Sequence, residues 1–344
     1  MEYTTVVDKL VQSEHSEPLL SNELMALINV ISGAVMGAIA FFGVVFNSVN
    51  AVVFFKMGLR DPVNITLLGL SLADLGSSLI LLLMSCFSYP DLVLDYLAIP
   101  YLIGWLQIGF TRISSCLTAF ITLERYLCVA LPLRVKSIIT PARTAAIVSG
   151  IFFSMLSSQI PPFFASKVVS IPNGLTNGTM MTLMYAPNGH DLENVSVTIN
   201  NVTLLATFPG VIVCTALLVN ELLRKTKWRQ VNSSSAQNDT MTVRDQRVVK
   251  MITSISTIFI LSYLPVAMVT ATMLAYPDFS VTGQHSNVFT VVWGLTFLAE
   301  GLNATTGIFV YLKMSSRFRS VVVAMFRLSA EGHGSILHSK QFSD

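Results

Sequence analysis

The sequence predicts an all-α membrane protein: a bundle of seven spanning helices with a short amphipathic cytoplasmic helix behind the last span. Three observations carry that expectation. Charged residues make up only 12% of the 344, against roughly a quarter in soluble domains, a deficit that points to lipid as solvent. Seven apolar runs lie near 26–54, 63–86, 98–126, 144–165, 202–223, 247–275 and 287–312. Each reaches the about 20 residues that a helix needs to cross a ~30 Å hydrocarbon layer. Basic residues sort to alternate connections: 18 of the 21 lysines and arginines follow spans one, three and five, close span three, or lie in the tail. By the positive-inside rule the N-terminus is then outside and the C-terminus cytoplasmic. Backbone in lipid must satisfy its own hydrogen bonds, so runs this long read as helices; the period-two alternation of a membrane barrel is absent. The net charge of +2 hides this asymmetry and gives no reason to expect a nucleic-acid partner.

The elements follow in order. Residues 1–25 read as an acidic outer segment, with Glu2, Asp8, Glu14, Glu17 and Glu23 against Lys9. The first apolar run starts near Met25 and exceeds a signal core, so span one is expected to act as its own insertion signal. Within the seven-span domain, 26–312, span one carries Asn47 and a Gly33-x-x-x-Gly37 pair suited to close helix packing. Span two holds Asp74 about midway across, without a basic neighbour in its own helix. Span three carries Arg112 and Ser114 and closes on Glu124-Arg125-Tyr126. Arg112 stands 13 residues above Arg125, or about 20 Å at 1.5 Å per residue, in the outer half of the helix.

Span four is uncharged, and 166–201 reads as a long outer loop with glycosylation sequons at Asn177, Asn194 and Asn201. Asn64, Asn232 and Asn238 head sequons on the inner side and Asn303 lies in a span, so no glycan is expected there. None of Cys86, Cys116, Cys128 and Cys214 falls in the outer loop, so no structural disulfide is expected. Span five contains Phe208-Pro209-Gly210, and span six contains Phe259, Tyr263 and Pro265. In span seven, Glu300, Asn303, Gly307 and Tyr311 are spaced 3, 4 and 4 apart and so share one helix face. Over 313–328, Phe318, Val321, Val322 and Met325 recur at i, i+3, i+4 and i+7, the pattern of a helix lying on the inner leaflet before a tail at 329–344.

The ordered set resembles the rhodopsin-like G protein-coupled receptors in identity and spacing. It comprises Asn47, Leu72-Ala73-Asp74-Leu75, Glu124-Arg125-Tyr126, Phe208-Pro209-Gly210, Ser262-Tyr263-Leu264-Pro265, and Tyr311 seven residues before Phe318. The segments Ala119-Phe120-Ile121-Thr122-Leu123-Glu124-Arg125, Val129-Ala130-Leu131-Pro132-Leu133, Lys225-Thr226-Lys227-Trp228-Arg229-Gln230 and Lys313-Met314-Ser315-Ser316 further resemble the molluscan chemosensory receptors. The chain departs from the wider pattern at four places. Pro100 replaces the usual outer cysteine, Ile151 the fourth-helix tryptophan, Tyr263 the sixth-helix tryptophan, and Gly307-Ile308 the seventh-helix Asn-Pro.

The resemblance implies a plasma-membrane receptor that passes binding of an extracellular small molecule, or of a peptide, to a heterotrimeric G protein. It assigns the coupling switch to Glu124, Arg125, Tyr126, Asp245 and Tyr311, with Asp245 placed 20 residues before Pro265 as a second partner for Arg125. It assigns an activation core to Asn47, Asp74, Phe259, Tyr263, Pro209 and Pro265. Asp74 then faces Asn47, Ser114 and Asn303, a cluster able to hold water or a sodium ion as cofactor. The pattern does not require Arg112 and Glu300. Opposite charges in a membrane should pair with each other or with a ligand. The pair reads either as an internal salt bridge or as a pocket for a small charged or zwitterionic molecule whose acid group Arg112 recognises. An opsin is excluded because span seven lacks a lysine and Gly301 occupies the matching position. A transporter lacks its paired repeats here, and no span holds the side chains of an intramembrane enzyme. Between a neuropeptide and a chemosensory receptor, the missing outer cysteine and the shared segments favour chemosensation.

Overall fold

The computed structural model describes residues 22–87, 98–172, 179–231, 243–276, 278–279 and 285–325. Local chemistry sets the helix borders. Helix α1 (Asn22–Met57) stops at Gly58, whose φ of +92° lies in the left-handed region that glycine adopts without a Cβ penalty. The Asn64 side chain donates to the Gly58 carbonyl at 2.9 Å and pins this turn. Asp61 caps α2 (Pro62–Cys86) by accepting from the Val63 amide at 3.1 Å, and Pro62 sits at the first position, where its missing N–H is no loss.

Helix α3 spans Ala98–Ala130, and Pro132 opens the short α4, Pro132–Ile138. Thr140 caps α5 (Pro141–Ser157), and Pro161 and Pro162 restart the chain as α6 (Pro161–Ala165), the two forming the fourth span. Strands β1 (Ser166–Pro172) and β2 (Thr179–Tyr185) pair antiparallel, with Ser166 opposite Tyr185. Then come α7 (Gly189–Val231), α8 (Val243–Ala275), α9 (Ser286–Met314) and α10 (316–325).

Among the described residues, seven helices are long and apolar enough to cross a membrane. Their surfaces are apolar: Phe153 is 77% exposed, and Phe55, Leu261 and Met268 also face outward. Their interior sets polar side chains within an apolar core: Asn47, Asn50, Asp74, Ser77, Gln107, Arg112 and Glu300 are all buried, as are Leu67, Ile113, Leu117 and Ile252. In water such a surface would aggregate, whereas in lipid it is the favourable arrangement. Small residues bring helices close. A Cβ on Gly76 would lie 2.4 Å from the Phe110 ring, and one on Gly37 would lie 2.9 Å from Ser85 Oγ, so the glycine of the Gly33-x-x-x-Gly37 pair packs α1 onto α2 within the chain.

The stretch 166–201 departs from the expected loop. It holds the β-hairpin and the first turns of α7, which starts 13 residues before the expected border at 202. Polar contacts hold this extension. Gln159 and Asn200 exchange amide hydrogen bonds at 3.2 and 3.1 Å, and Ser196 donates to the Ser158 carbonyl at 2.6 Å. Asn194 and Asn201 therefore sit on a helix, with Ser196 of the first sequon fully buried. Asn177 lies outside the described residues, as does the chain beyond 325. Phe318 is fully buried in α10, and Val321, Val322 and Met325 pack beside it on the core.

Candidate functional site

Arg112 on α3 and Glu300 on α9 meet in the interior, 5% and 4% exposed, with Nη2 and Oε1 3.7 Å apart. That is an ionic contact too long for a hydrogen bond. Arg112 Nε and Nη1 are buried without a partner among the described residues. One residue before Arg112, the Thr111 carbonyl accepts from the Tyr263 hydroxyl at 3.0 Å. The Tyr263 ring stacks on Phe259 with centroids 4.1 Å apart. Helices α3, α8 and α9 thus converge on one spot built from residues singled out by the sequence.

Below it, the Ser114 hydroxyl donates to Asp74 Oδ1 at 2.8 Å. Asn47 turns elsewhere: its amide donates to the Ala304 carbonyl at 2.8 Å and the Gly43 carbonyl at 3.0 Å, fastening α1 to α9. Among the described residues no hydrogen bond joins Asn47 or Asn303 to Asp74; the Asn303 carbonyl accepts from Thr306 at 3.1 Å. Pro209 lies inside α7 and Pro265 inside α8.

At the far end of α3, Arg125 Nη2 donates to Glu124 Oε1 at 2.5 Å, and the Glu124 carboxylate is buried. Tyr126 is half-buried beside it. Asp245 lies in α8, but its side chain falls outside the described residues. Tyr311 is 2% exposed, edge-on to Phe54 at 4.9 Å and tilted against Phe318 at 5.4 Å. One turn above Arg125, the Thr122 and Ser256 hydroxyls meet at 2.7 Å, tying α3 to α8 with both side chains fully buried. Sequence reasoning missed this clasp. Serine and threonine are ordinary in spans because they bond their own preceding turn, so neither residue stands out.

A second cluster that the sequence did not reveal lies at the hairpin end. The Tyr101 hydroxyl donates to the Glu193 carboxylate, and the Tyr185 hydroxyl donates to Tyr101 at 3.1 Å. Tyr185 stacks on His190 at 4.6 Å. Burial pushes the Tyr185 phenol up to about 12, so it remains a donor at neutral pH. The cluster joins β2, α3 and α7 one residue from Pro100, where the family resemblance would place a disulfide; the four cysteines form none. A hydrogen bond to a charged group contributes about 1.5–3 kcal/mol. Tyr101→Phe is therefore expected to speed amide exchange across 166–172 and 179–185 roughly tenfold or more. Unchanged exchange there would show that the phenol does not brace the hairpin.

The profile of the family described as 7 transmembrane receptor (rhodopsin family) matches residues 48–303. No curated protein matches the chain.

Proposed function

The chain belongs to the rhodopsin family of seven-transmembrane receptors, a receptor family and not an enzyme one, and from that premise we propose that it carries binding of an extracellular small molecule to a cytoplasmic heterotrimeric G protein. The observation that supports this most is that one pair of helices serves both ends. Near the hairpin end α3 and α8 are joined by the Tyr263–Thr111 bond beside Arg112 and Glu300. At the other end they are joined by the Thr122–Ser256 clasp beside the Glu124–Arg125 pair. A ligand that displaces Tyr263 therefore acts on the helices that must part to admit a G protein.

In this reading the hairpin end faces outside and the Arg125 end faces the cytoplasm of a plasma membrane, as the lysine and arginine distribution requires. Asp245 is the second partner of Arg125, Tyr126 and Tyr311 belong to the coupling surface, and Asn177, Asn194 and Asn201 are the glycan positions on the outer side. The role is chemosensory. The segment resemblance favours it, and so does the lack of a disulfide among the four cysteines, which leaves a peptide-binding outer loop without a covalent brace. A neuropeptide receptor is the alternative, and a response to peptides with silence to small polar odorants would select it.

Coupling is tested with purified receptor in lipid nanodiscs and a panel of G proteins. Glu124→Gln weakens the charge-assisted bond that holds Arg125, so ligand-independent nucleotide exchange is expected to rise about tenfold for ~1.4 kcal/mol of weakening. Arg125→Ala is expected to abolish exchange at an equal amount of folded receptor. Wild-type exchange rates in both variants would overturn the switch.

A further inference from the structure

We infer that the buried Arg112–Glu300 pair binds a small zwitterion of amino-acid type, whose carboxylate takes Arg112 while its ammonium takes Glu300. This deepens the receptor reading above and rests on it. The geometry of the guanidinium carries the argument. A guanidinium presents two forked edges, Nε with Nη2 and Nη1 with Nη2, and a carboxylate binds either edge with two parallel hydrogen bonds. Both edges include Nη2, the one atom that Glu300 contacts, and that contact is 3.7 Å long. Nε and Nη1 are buried and unpartnered among the described residues. The pair is balanced in charge, and its guanidinium is unfilled in hydrogen bonds. Buried donors without acceptors are costly, so the fork favours any carboxylate that reaches it.

A carboxylate on either fork takes one of the two N–H groups of Nη2 beside Glu300, and charge balance then selects the ligand. A simple anion would leave two carboxylates facing one guanidinium where the side chains are only 6% and 3% exposed. A simple cation would leave the opposite excess. An unbalanced charge in so dry a place is strongly disfavoured. A zwitterion adds no net charge. Its carboxylate satisfies the fork, its ammonium pairs with Glu300, and the four charges alternate in sign. The carboxylate also competes with Glu300 for the guanidinium next to the Thr111 carbonyl that holds Tyr263, which connects occupancy to α8.

The test uses the full-length receptor in nanodiscs with a series of neutral α-amino acids, their N-acetyl derivatives (anion only) and their amides (cation only). Binding is read as a rise in the unfolding midpoint and, separately, as G protein nucleotide exchange. At least one amino acid is expected to raise the midpoint, with its acetylated and amidated forms weaker by about 100-fold, because each leaves a buried charge unpaired. Arg112→Lys keeps the charge but lacks the fork, and is expected to fold and to bind the same amino acid at least about tenfold more weakly. An N-acetyl derivative that binds as tightly as its parent, or a series in which nothing shifts the midpoint, overturns the proposal. A zwitterion that binds without driving exchange on any G protein supports the site and overturns the coupling reading instead.

Discussion

Arg112→Met is expected to cost the receptor about 3–5 kcal/mol of stability, because it strands the Glu300 carboxylate in the interior without a counter-charge. Glu300→Leu is expected to do the same to Arg112, whose side chain is 6% exposed and has no other acidic partner among the described residues. The double variant Arg112→Met/Glu300→Leu removes both charges and keeps the volume. A buried ion pair replaced by well-packed apolar groups is often neutral or stabilising, so most of the loss should return. Unfolding midpoints of the four proteins in detergent, with surface expression alongside, complete the double-mutant cycle. Single variants that each lose under about 1 kcal/mol would mean that the interior does not isolate the pair. The double variant also separates folding from recognition: it should reach the surface and bind no zwitterion.

Thr122→Val should raise ligand-independent signalling about fivefold while lowering stability by no more than about 1 kcal/mol. The Thr122 hydroxyl lies 2.6 Å from the Thr118 carbonyl and 2.7 Å from Ser256 Oγ. It has one proton. Since only a donor can pair with the carbonyl, Thr122 donates there and Ser256 donates to Thr122. Valine removes the acceptor, and Ser256 can turn to the carbonyl of its own preceding turn, which limits the loss. The closed arrangement of α3 and α8 nonetheless loses a bond of about 1 kcal/mol that the open one never had, and that is a factor of about five in the closed-to-open ratio. Ser256→Ala should match it, and the double variant should exceed neither, because both remove one shared bond. Basal nucleotide exchange per receptor measures all three. Additive effects, or lower basal exchange, would sink the clasp as a latch.

Much of the site was legible because charge in lipid is rare and needs a reason. Arg112 and Glu300 stood out on that ground alone, and the structure brings them together. Asp74 was also conspicuous, and Ser114 does meet it. The remainder of the expected polar cluster was assembled differently. Asn47 bonds the Ala304 carbonyl, a backbone partner that carries no side-chain signature. The outer stretch was misjudged for a related reason. The apolar run in span five begins at 202, but helix continues outward to Gly189, held by Ser196 and Asn200 against the fourth span. Hydropathy marks where lipid begins and says nothing of where a helix does.

By itself the sequence determined the number of spans and their order. Those properties are sums of transfer free energies along a chain and need no knowledge of neighbours. The tertiary structure alone decided how each helix is rotated, and so which polar groups meet: Thr122 with Ser256, Tyr101 with Glu193, Gln159 with Asn200. A hydroxyl or amide in a span can satisfy itself on its own helix, so its presence does not reveal a partner. Only packing, which fixes helix rotation to within a side chain's width, turns such residues into contacts between helices.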